Sequence, residues 1–555
     1  MSPATLKPGT REAARPARAL DELTAGLITV PAGIVVSDVT QDSRAAVPGA
    51  LFLACRGRTH HGLRFATEAV ARGARAVLYE RSTGQEPTVP ELAAGTFVAG
   101  VENLSERAGI IAARFFGAPS EHLTVAGITG TNGKTTCAWL LAQALGFCRR
   151  PAAYIGTLGF GLPGHLTATV HTTSDAVTVQ RQLATLRARG AECVCMEVSS
   201  HALDQARVVG VHFHTAAFTN LTRDHLDYHG SMAAYGAAKA RLFTWPDLSW
   251  RVINIDDPFG AELAAAVSPA PLIVTTRAAV PGAPPPGARY MRAARATPDP
   301  AGLAIGIESS WGAAELAVRL MGEFNVDNVL TVLAVLLAWE IPFLDALRAL
   351  SRCRPASGRM EMFGGRGLTP LAIVDYAHTP DALAKALRAA RAHCRSQLRV
   401  VFGCGGDRDA GKRPLMGAIA AELADDIVLT DDNPRTEDPA AIVADIVAGV
   451  AARAPLVVEH DRALAIRLAL QRSSAEDVVL IAGKGHEDYQ ITGATRRPFR
   501  DQDVVSAELG GARARSARST PLPGPVAAGC TAPTPPSATS RATRARSSPA
   551  SCSWR

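Results

Sequence analysis

Aromatic residues are scarce in this 555-residue chain, at 5%, and charged residues reach only 20%. Cysteine pairs at metal-site or redox spacing are missing. Ten cysteines are present, and the nearest two, Cys193 and Cys195, lie inside an apolar run. That usage excludes a disulfide-stapled secreted scaffold and points to packed, reduced cysteine in a cytoplasmic protein. No N-terminal segment joins basic residues to an apolar core, so no signal peptide is expected. The longest apolar run, "VLTVLAVLLAW" at 329–339, ends at Glu340. It falls short of the ~20 residues that span a bilayer, so no membrane insertion is expected.

A basic face is missing too. The net charge is +7, yet residues 511–555 hold seven Arg and no Lys, Asp or Glu. Removing those seven leaves a net charge of 0 for residues 1–510. The excess is a tail, so nucleic-acid binding is not expected. The tail is rich in Pro, Ser, Thr, Ala and Arg without periodicity, and it reads as disordered from 511 to 555.

What is present is enough apolar residue, 47%, for about three cores. Residues 21–115 mix short strands ("GIVVSDV", "ALFLAC", "AVLYE") with the helix "RFATEAVARGA", predicting a small α/β domain. Residues 116–353 open with an apolar strand, a Gly-rich loop and a helix, predicting a nucleotide-binding α/β domain. Residues 354–510 alternate strand and helix; the strands are "LAIVDYA", "RVVFGC", "DIVLT", "PLVVEH" and "DVVLIAG". That alternation predicts a doubly wound, mostly parallel sheet of Rossmann-like type.

The Gly-rich loop is "GITGTNGKTT" at 127–136. A loop between strand and helix cradles phosphate oxygens with backbone N–H groups and the helix N-terminus. Gly130, Thr131, Asn132, Gly133, Lys134, Thr135 and Thr136 are its candidate contacts with ATP. Lys134 would reach the β- and γ-phosphates and Thr135 would offer a hydroxyl to Mg²⁺. The strict phosphate-loop pattern puts Gly at 128; here Ile128 stands there and the glycines are at 127, 130 and 133. Such a loop alone leaves motor, kinase and ligase open. Glu197, at the end of "CVCME", stands where a second Mg²⁺ ligand belongs. The polar loop "NLTRDHLDYHG" (220–230) makes a poor core and a plausible site. Lys239, on the helix "YGAAKARLF", taken alone is a solvated charge.

Ten collinear motifs then carry a resemblance: GTNGKTT, MEVSSHAL, NLTRDHLDYHG, YGAAK, GEFNVDN, GRMEMF, DYAHTPDAL, GCGGDRDAGKRPLM, DDNPRTEDP and GKGHEDYQ. Over roughly residues 38–508 the chain resembles the Mur ligases, and among them the MurE type that adds 2,6-diaminopimelate. The resemblance implies three α/β domains: a UDP-sugar domain, a central ATPase-like domain and a C-terminal amino-acid domain. It implies a monomeric, ATP-using amide ligase of cytoplasmic cell-wall precursor synthesis. A substrate carboxylate is phosphorylated, and an amine displaces the phosphate.

By the same resemblance, Lys134, Lys239 and His225 are catalytic. Thr135, Glu197, His225 and a carbamylated Lys239 hold Mg²⁺. Asn325, Asn328, Arg359 and His378 complete the ATP site. Ser43, Thr172, Thr173, Ser199, Gln205 and Arg207 match the site for UDP-N-acetylmuramoyl-L-alanyl-D-glutamate, with Arg207 a sensible partner for D-glutamyl carboxylates.

Three loops of the last domain follow strands and are expected to converge, because ligands of open α/β sheets sit outside the strands' carboxyl ends. They supply Arg408, Asp432, Asn433, Pro434, Arg435, Gly483 and Glu487. Two guanidiniums with a carboxylate suit a zwitterion bearing an extra carboxylate, as meso-diaminopimelate does. Arg435 would fork that carboxylate and Glu487 would take an ammonium. The alternative is the same ligation with L-lysine, which would leave the Arg unpaired; in lysine-adding relatives that Arg is replaced. A folylpolyglutamate-synthetase-like enzyme and a non-enzymatic phosphate-loop protein are the remaining readings.

Overall fold

A computed structural model of the chain describes residues 17–57, 60–81, 87–169, 171–267, 271–278, 287–299, 302–365, 367, 369–450 and 455–519. Three main sheets follow one another. The first has four parallel strands in sequence order: Asp38–Thr40, Ala50–Ala54, Ala76–Arg81 and Phe97–Glu102. Parallel sheets are covered on both faces and read as apolar runs; all five residues of Ala50–Ala54 are buried. The run "GIVVSDV" divides: Val35–Val36 pairs with Arg18–Ala19, and Asp38–Thr40 enters the sheet. Helix Leu104–Phe115 covers this sheet. The same core takes in Ala176 and Val177, at the start of helix Ala176–Ala188 in the next domain.

The second sheet has eleven strands. Seven parallel strands form its body, in the order Ala152–Gly156, Cys193–Glu197, Thr124–Thr129, Thr215–Phe218, Trp250–Asn254, Leu272–Thr276 and Arg289–Asp299. Antiparallel hairpin strands close both edges. Thr124–Thr129 therefore lies between Cys193–Glu197 and Thr215–Phe218. The phosphate loop, Glu197 and the start of "NLTRDHLDYHG" leave the sheet side by side. The apolar run at 329–339 lies in helix Phe324–Ala338 and its C-cap Trp339; thirteen of the helix's fifteen residues are buried, ten of them in the central core. Among the described residues no helix is long and apolar enough to cross a membrane.

The third sheet runs Glu361–Gly364, Leu371–Asp375, Val478–Ala482, Leu398–Phe402, Asp426–Leu429 and Leu456–Val458. Every pairing but the first is parallel. Val478–Ala482, Leu398–Phe402 and Asp426–Leu429 are consecutive neighbours, so their carboxyl-end loops meet. The last helix, Asp501–Ser519, runs nine residues past the expected end at 510. The Ala/Arg-rich segment favours helix, and the first proline comes at 521. The rest of the tail, 520–555, lies outside the described residues.

Candidate active site

The phosphate loop is built on two glycines with positive φ. Gly130 has φ +149° and Gly133, which caps helix Lys134–Phe147, has φ +87°. A Cβ on Gly130 would overlap the Thr219 hydroxyl, and one on Gly133 would overlap Asn328 Oδ1. Only glycine fits both the backbone and the space. Thr131 Oγ1 accepts from Thr222 N at 3.0 Å and Asn132 N donates to Asn220 Oδ1 at 2.9 Å, so "NLTRDHLDYHG" braces the loop. Lys134 Nζ donates to the carbonyls of Gly130 and Thr131, both at 2.8 Å. Desolvation lowers its pKa; Glu197 and Asp224 oppose that and Arg359 adds to it.

Glu197 is fully buried and is the hub of the site. Its Oε2 accepts from Thr135 Oγ1 at 2.9 Å, and its Oε1 accepts from Thr157 N at 2.9 Å and from the Tyr154 hydroxyl. Burial, and then the Glu197 charge, push the Tyr154 phenol well above its ordinary range, so it stays a donor. Tyr154 and Thr157 were not anticipated. Tyr154 reads in sequence as one more apolar position of "AAYIG", and only three-dimensional pairing of its strand with Cys193–Glu197 reveals the contact.

From Glu197 the network runs outward through residues expected at the muramoyl-peptide site. Thr173 Oγ1 donates to the Glu197 carbonyl at 2.9 Å and accepts from Ser199 N at 3.1 Å. Thr172 Oγ1 meets Thr157 Oγ1 at 3.1 Å. Arg207 Nη1 donates to the Thr173 carbonyl at 2.9 Å, and its Nε and Nη2 both donate to Gln205 Oε1, at 3.0 and 2.6 Å. Ser199 caps helix Ser200–Asp204. Ser43 stands apart, buried on the first domain with its hydroxyl donating to Glu68 Oε2 at 2.7 Å. Near it, a cavity of about 320 Å³ opens between the first and central domains, bordered by Gln41, Asp42, Asp175 and Arg181.

Lys239 is 1% exposed. Its Nζ donates to the Gly130 carbonyl at 2.8 Å and sits 4.3 Å from the Tyr235 ring centre. Burial, with Lys134 next, pushes its pKa down to about 6, against a smaller opposing pull from Asp224. His225 is placed differently. It has φ +52°, is half exposed, and lies 3.4 Å from Asp224 in a cluster of rings with His201 and Tyr235. Among the described residues no three His, Cys, Asp or Glu are gathered as a metal site. The oxygen pair that is gathered, Thr135 with Glu197, suits Mg²⁺, a hard cation that keeps several waters and phosphate oxygens as ligands.

Asn325 and Asn328 are buried at the start of helix Phe324–Ala338. Asn325 Nδ2 donates to the Met321 carbonyl at 2.7 Å, and Asn328 Nδ2 donates to Asn325 Oδ1 at 2.8 Å. Met321 itself packs in the core of the C-terminal domain. Arg359 lies 5.1 Å over the Tyr376 ring, and His378 Nδ1 pairs with the Tyr376 carbonyl at 2.8 Å. The Arg359 charge is felt at Lys134 of the phosphate loop, and the His378 side chain is exposed.

The three C-terminal loops touch one another. A Cβ on Gly405 would lie 2.9 Å from Arg435 Nη1 and 3.8 Å from Arg408 Cγ, so both arginines flank one backbone position. Arg435 Nη1 donates to the Gly406 carbonyl at 2.7 Å. A Cβ on Gly483 would lie 2.5 Å from Asp432 Oδ2, and one on Gly406 would overlap the Pro434 carbonyl. Burial raises the Asp432 pKa. Asn433 Nδ2 donates to Glu487 Oε2 at 2.8 Å. Arg435 holds φ +53°, a conformation costing a non-glycine residue about 1–3 kcal/mol. Its backbone is held there by the hairpin Tyr489–Thr492/Thr495–Pro498: Arg435 N donates to the Ile491 carbonyl at 3.2 Å, and Gly493 N donates to the Arg435 carbonyl at 2.6 Å. Lys484, unanticipated, lies beneath these loops, fully buried.

Three family profiles match in order: Mur ligase family, catalytic domain, at residues 35–116; Mur ligase middle domain at 128–336; and Mur ligase, glutamate ligase domain, at 358–485. A protein of Chromobacterium violaceum named UDP-N-acetylmuramoyl-L-alanyl-D-glutamate–2,6-diaminopimelate ligase is 50% identical over 485 residues, covering 86% of this chain and 95% of its own. One of the same name from Pseudomonas aeruginosa is 46% identical over 481 residues, with 86% and 95% covered. A solved structure of a ligase of that name superposes with a TM-score of 0.68 at 33% identity, covering 90% of this chain and 99% of the other. The chain belongs to the Mur ligase family.

Proposed function

We propose that this ligase joins meso-2,6-diaminopimelate to UDP-N-acetylmuramoyl-L-alanyl-D-glutamate at the expense of ATP. The γ-phosphoryl group of ATP passes to a D-glutamyl carboxylate oxygen, giving an acyl phosphate and ADP. The substrate amine attacks the acyl carbon, loses a proton and expels phosphate, leaving the amide. Such chemistry depends on positioning and charge neutralisation more than on covalent catalysis by the protein.

One observation carries the reading: Thr135, Glu197, Thr173 and Arg207 are hydrogen-bonded residue to residue, through the Glu197 carboxylate and the Glu197 and Thr173 carbonyls. It sets the phosphate loop against the guanidinium best suited to the glutamyl carboxylate. Gly130 to Thr136 would bind the phosphates, with Asn325, Asn328, Arg359 and His378 toward the nucleoside. Thr135 and Glu197 would hold Mg²⁺, which neutralises phosphate charge when bound. Burial lowers the Lys239 pKa toward the neutral amine, the form that would take up carbon dioxide as a carbamate, and His225 would join the site from its exposed loop. Ser43, Thr172, Thr173, Ser199, Gln205 and Arg207 would hold the nucleotide dipeptide. A monomer working in the cytoplasm accords with this chemistry.

Arg408, Asp432, Asn433, Pro434, Arg435, Gly483 and Glu487 would receive the amino acid. Arg435 favours diaminopimelate over L-lysine, because lysine has no distal carboxylate and would leave the half-buried Arg435 guanidinium without an anionic partner. The names of the relatives favour the same choice. The test is ADP release by purified protein given ATP and the nucleotide dipeptide, with and without meso-diaminopimelate. Release that needs all three supports the reading; release independent of the amino acid contradicts it.

A further inference from the structure

Lys484 lies between Gly483 (φ +115°) and Gly485 (φ +52°), and its side chain is fully buried beneath the amino-acid pocket. Burying an ammonium is costly unless its three donors are matched. Here they are matched: Nζ donates to the Tyr489 carbonyl at 2.8 Å, to Asn433 Oδ1 at 3.0 Å and to Glu487 Oε2 at 3.4 Å. Asp432 Oδ1 lies 3.8 Å away.

These bonds have a directional consequence. Asn433 Oδ1 receives two donors, Lys484 Nζ and Ile491 N, the latter at 2.9 Å. Its amide is thereby oriented, and Nδ2 is turned to Glu487 Oε2 at 2.8 Å. Both side-chain donors to Glu487 end on Oε2, so among the described residues Oε1 is the oxygen left to accept from a ligand. The Lys484 bond to Tyr489 also anchors the hairpin whose Ile491 and Gly493 hold the Arg435 backbone. One buried cation thus orients an ammonium acceptor and steadies a carboxylate fork.

We propose that Lys484 is a positioning residue for amino-acid recognition, holding Asn433, Glu487 and the Arg435 hairpin in the arrangement that reads the distal zwitterion of diaminopimelate. This rests on the function proposed above. Lys484 touches none of the reacting atoms, so its removal should act on amino-acid binding and spare the ATP site.

The experiment is steady-state kinetics of the full chain with each substrate varied in turn, for wild type, Lys484→Met, Glu487→Gln and the double variant. Lys484→Met is expected to raise KM for diaminopimelate by about tenfold or more, the scale of leaving buried partners unsatisfied. KM for ATP should change less than about twofold, because the ATP site lies outside this hydrogen-bond set. In the Glu487→Gln background the same change should cost much less, because the two act through one network. If Lys484→Met gives no folded protein, Lys484→Gln is read instead, since it keeps a donor without the charge. Equal rises in KM for ATP and diaminopimelate, an unchanged KM for diaminopimelate, or full additivity in the double variant would overturn the proposal. Wild type that fails to use diaminopimelate at all would overturn the underlying function, a result distinct from any of these.

Discussion

Lys134 and Lys239 end on the same atom. Each Nζ donates to the Gly130 carbonyl at 2.8 Å, one from the phosphate loop's own helix and the other from helix Met232–Ala240. Two ammonium groups on one acceptor repel, and burial penalises both. The chain concentrates positive potential where phosphate charge is to be bound, and Lys239 is the group that yields its proton.

That relationship sets a pH dependence. The Lys239 pKa falls from an ordinary value of 10.5 to about 6 on folding. Between those values the unfolded chain binds more protons than the folded one, so stability rises with pH. The cost of burying the Lys239 ammonium is absent above 10.5 and grows to its full size as pH falls to about 6. In carbon-dioxide-free buffer, Lys239→Met should gain in Tm over wild type, and the gain should grow from pH 9 to pH 6. A pH-independent difference would contradict the shift. Carbamate formation is read separately, as a labelled carbonyl signal in carbon-13 NMR that Lys239→Met abolishes.

Gly133→Ala tests the phosphate loop. The new methyl would need φ +87° and would overlap Asn328 Oδ1. Strain of this kind costs about 1–3 kcal/mol. The expected result is a lower Tm with KM for ATP raised by more than about tenfold, a factor equal to 1.4 kcal/mol. Unchanged ATP kinetics would mean that the loop does not carry the nucleotide.

The buried pair Arg462–Asp501 is a stability test beneath the C-terminal loops, where Arg462 Nη2 also donates to the Ala482 carbonyl at 3.0 Å. Asp501 accepts from Arg462 Nε at 2.7 Å and from Nη2 at 2.8 Å, and both side chains are 0% exposed. Asp501→Ala leaves an uncompensated buried guanidinium and should destabilise by about 3–5 kcal/mol. Denaturant unfolding measures it. A loss below about 1 kcal/mol, the value of an exposed pair, would show that the site is solvated.

The third domain was the most legible. Four of its five parallel strands are buried almost throughout, the edge strand Leu456–Val458 is partly exposed, and all five apolar runs named in sequence are strands. The edge meander Arg289–Asp299, Gly302–Ser309 and Gly312–Val318 was not legible. Its first strand, "RYMRAARATPD", carries no uninterrupted apolar run, and its last, Gly312–Val318, is largely exposed. In the site, glycine spacing and GKTT announced the phosphate loop. Lys484 stands inside GKGHEDYQ, where a lysine between two glycines looks like a solvated loop charge. Its burial arises only when the hairpin after Tyr489 folds over it.

Arg435→Ala probes the carboxylate fork. It should raise KM for meso-diaminopimelate by about tenfold or more while leaving KM for ATP within about twofold, because a bidentate charged bond is lost at one substrate only. Arg435→Lys should restore little, since an ammonium is not a planar fork.

The central claim is tested most directly by giving wild-type enzyme ATP and UDP-N-acetylmuramoyl-L-alanyl-D-glutamate with either meso-diaminopimelate or L-lysine, and measuring kcat/KM from the ligated product by mass spectrometry. The account predicts the diaminopimelate product, one ADP per amide formed, and a preference over lysine of about tenfold or more, the scale of losing a charge-assisted bond to the Arg435 guanidinium. Equal kcat/KM for the two amino acids would contradict it.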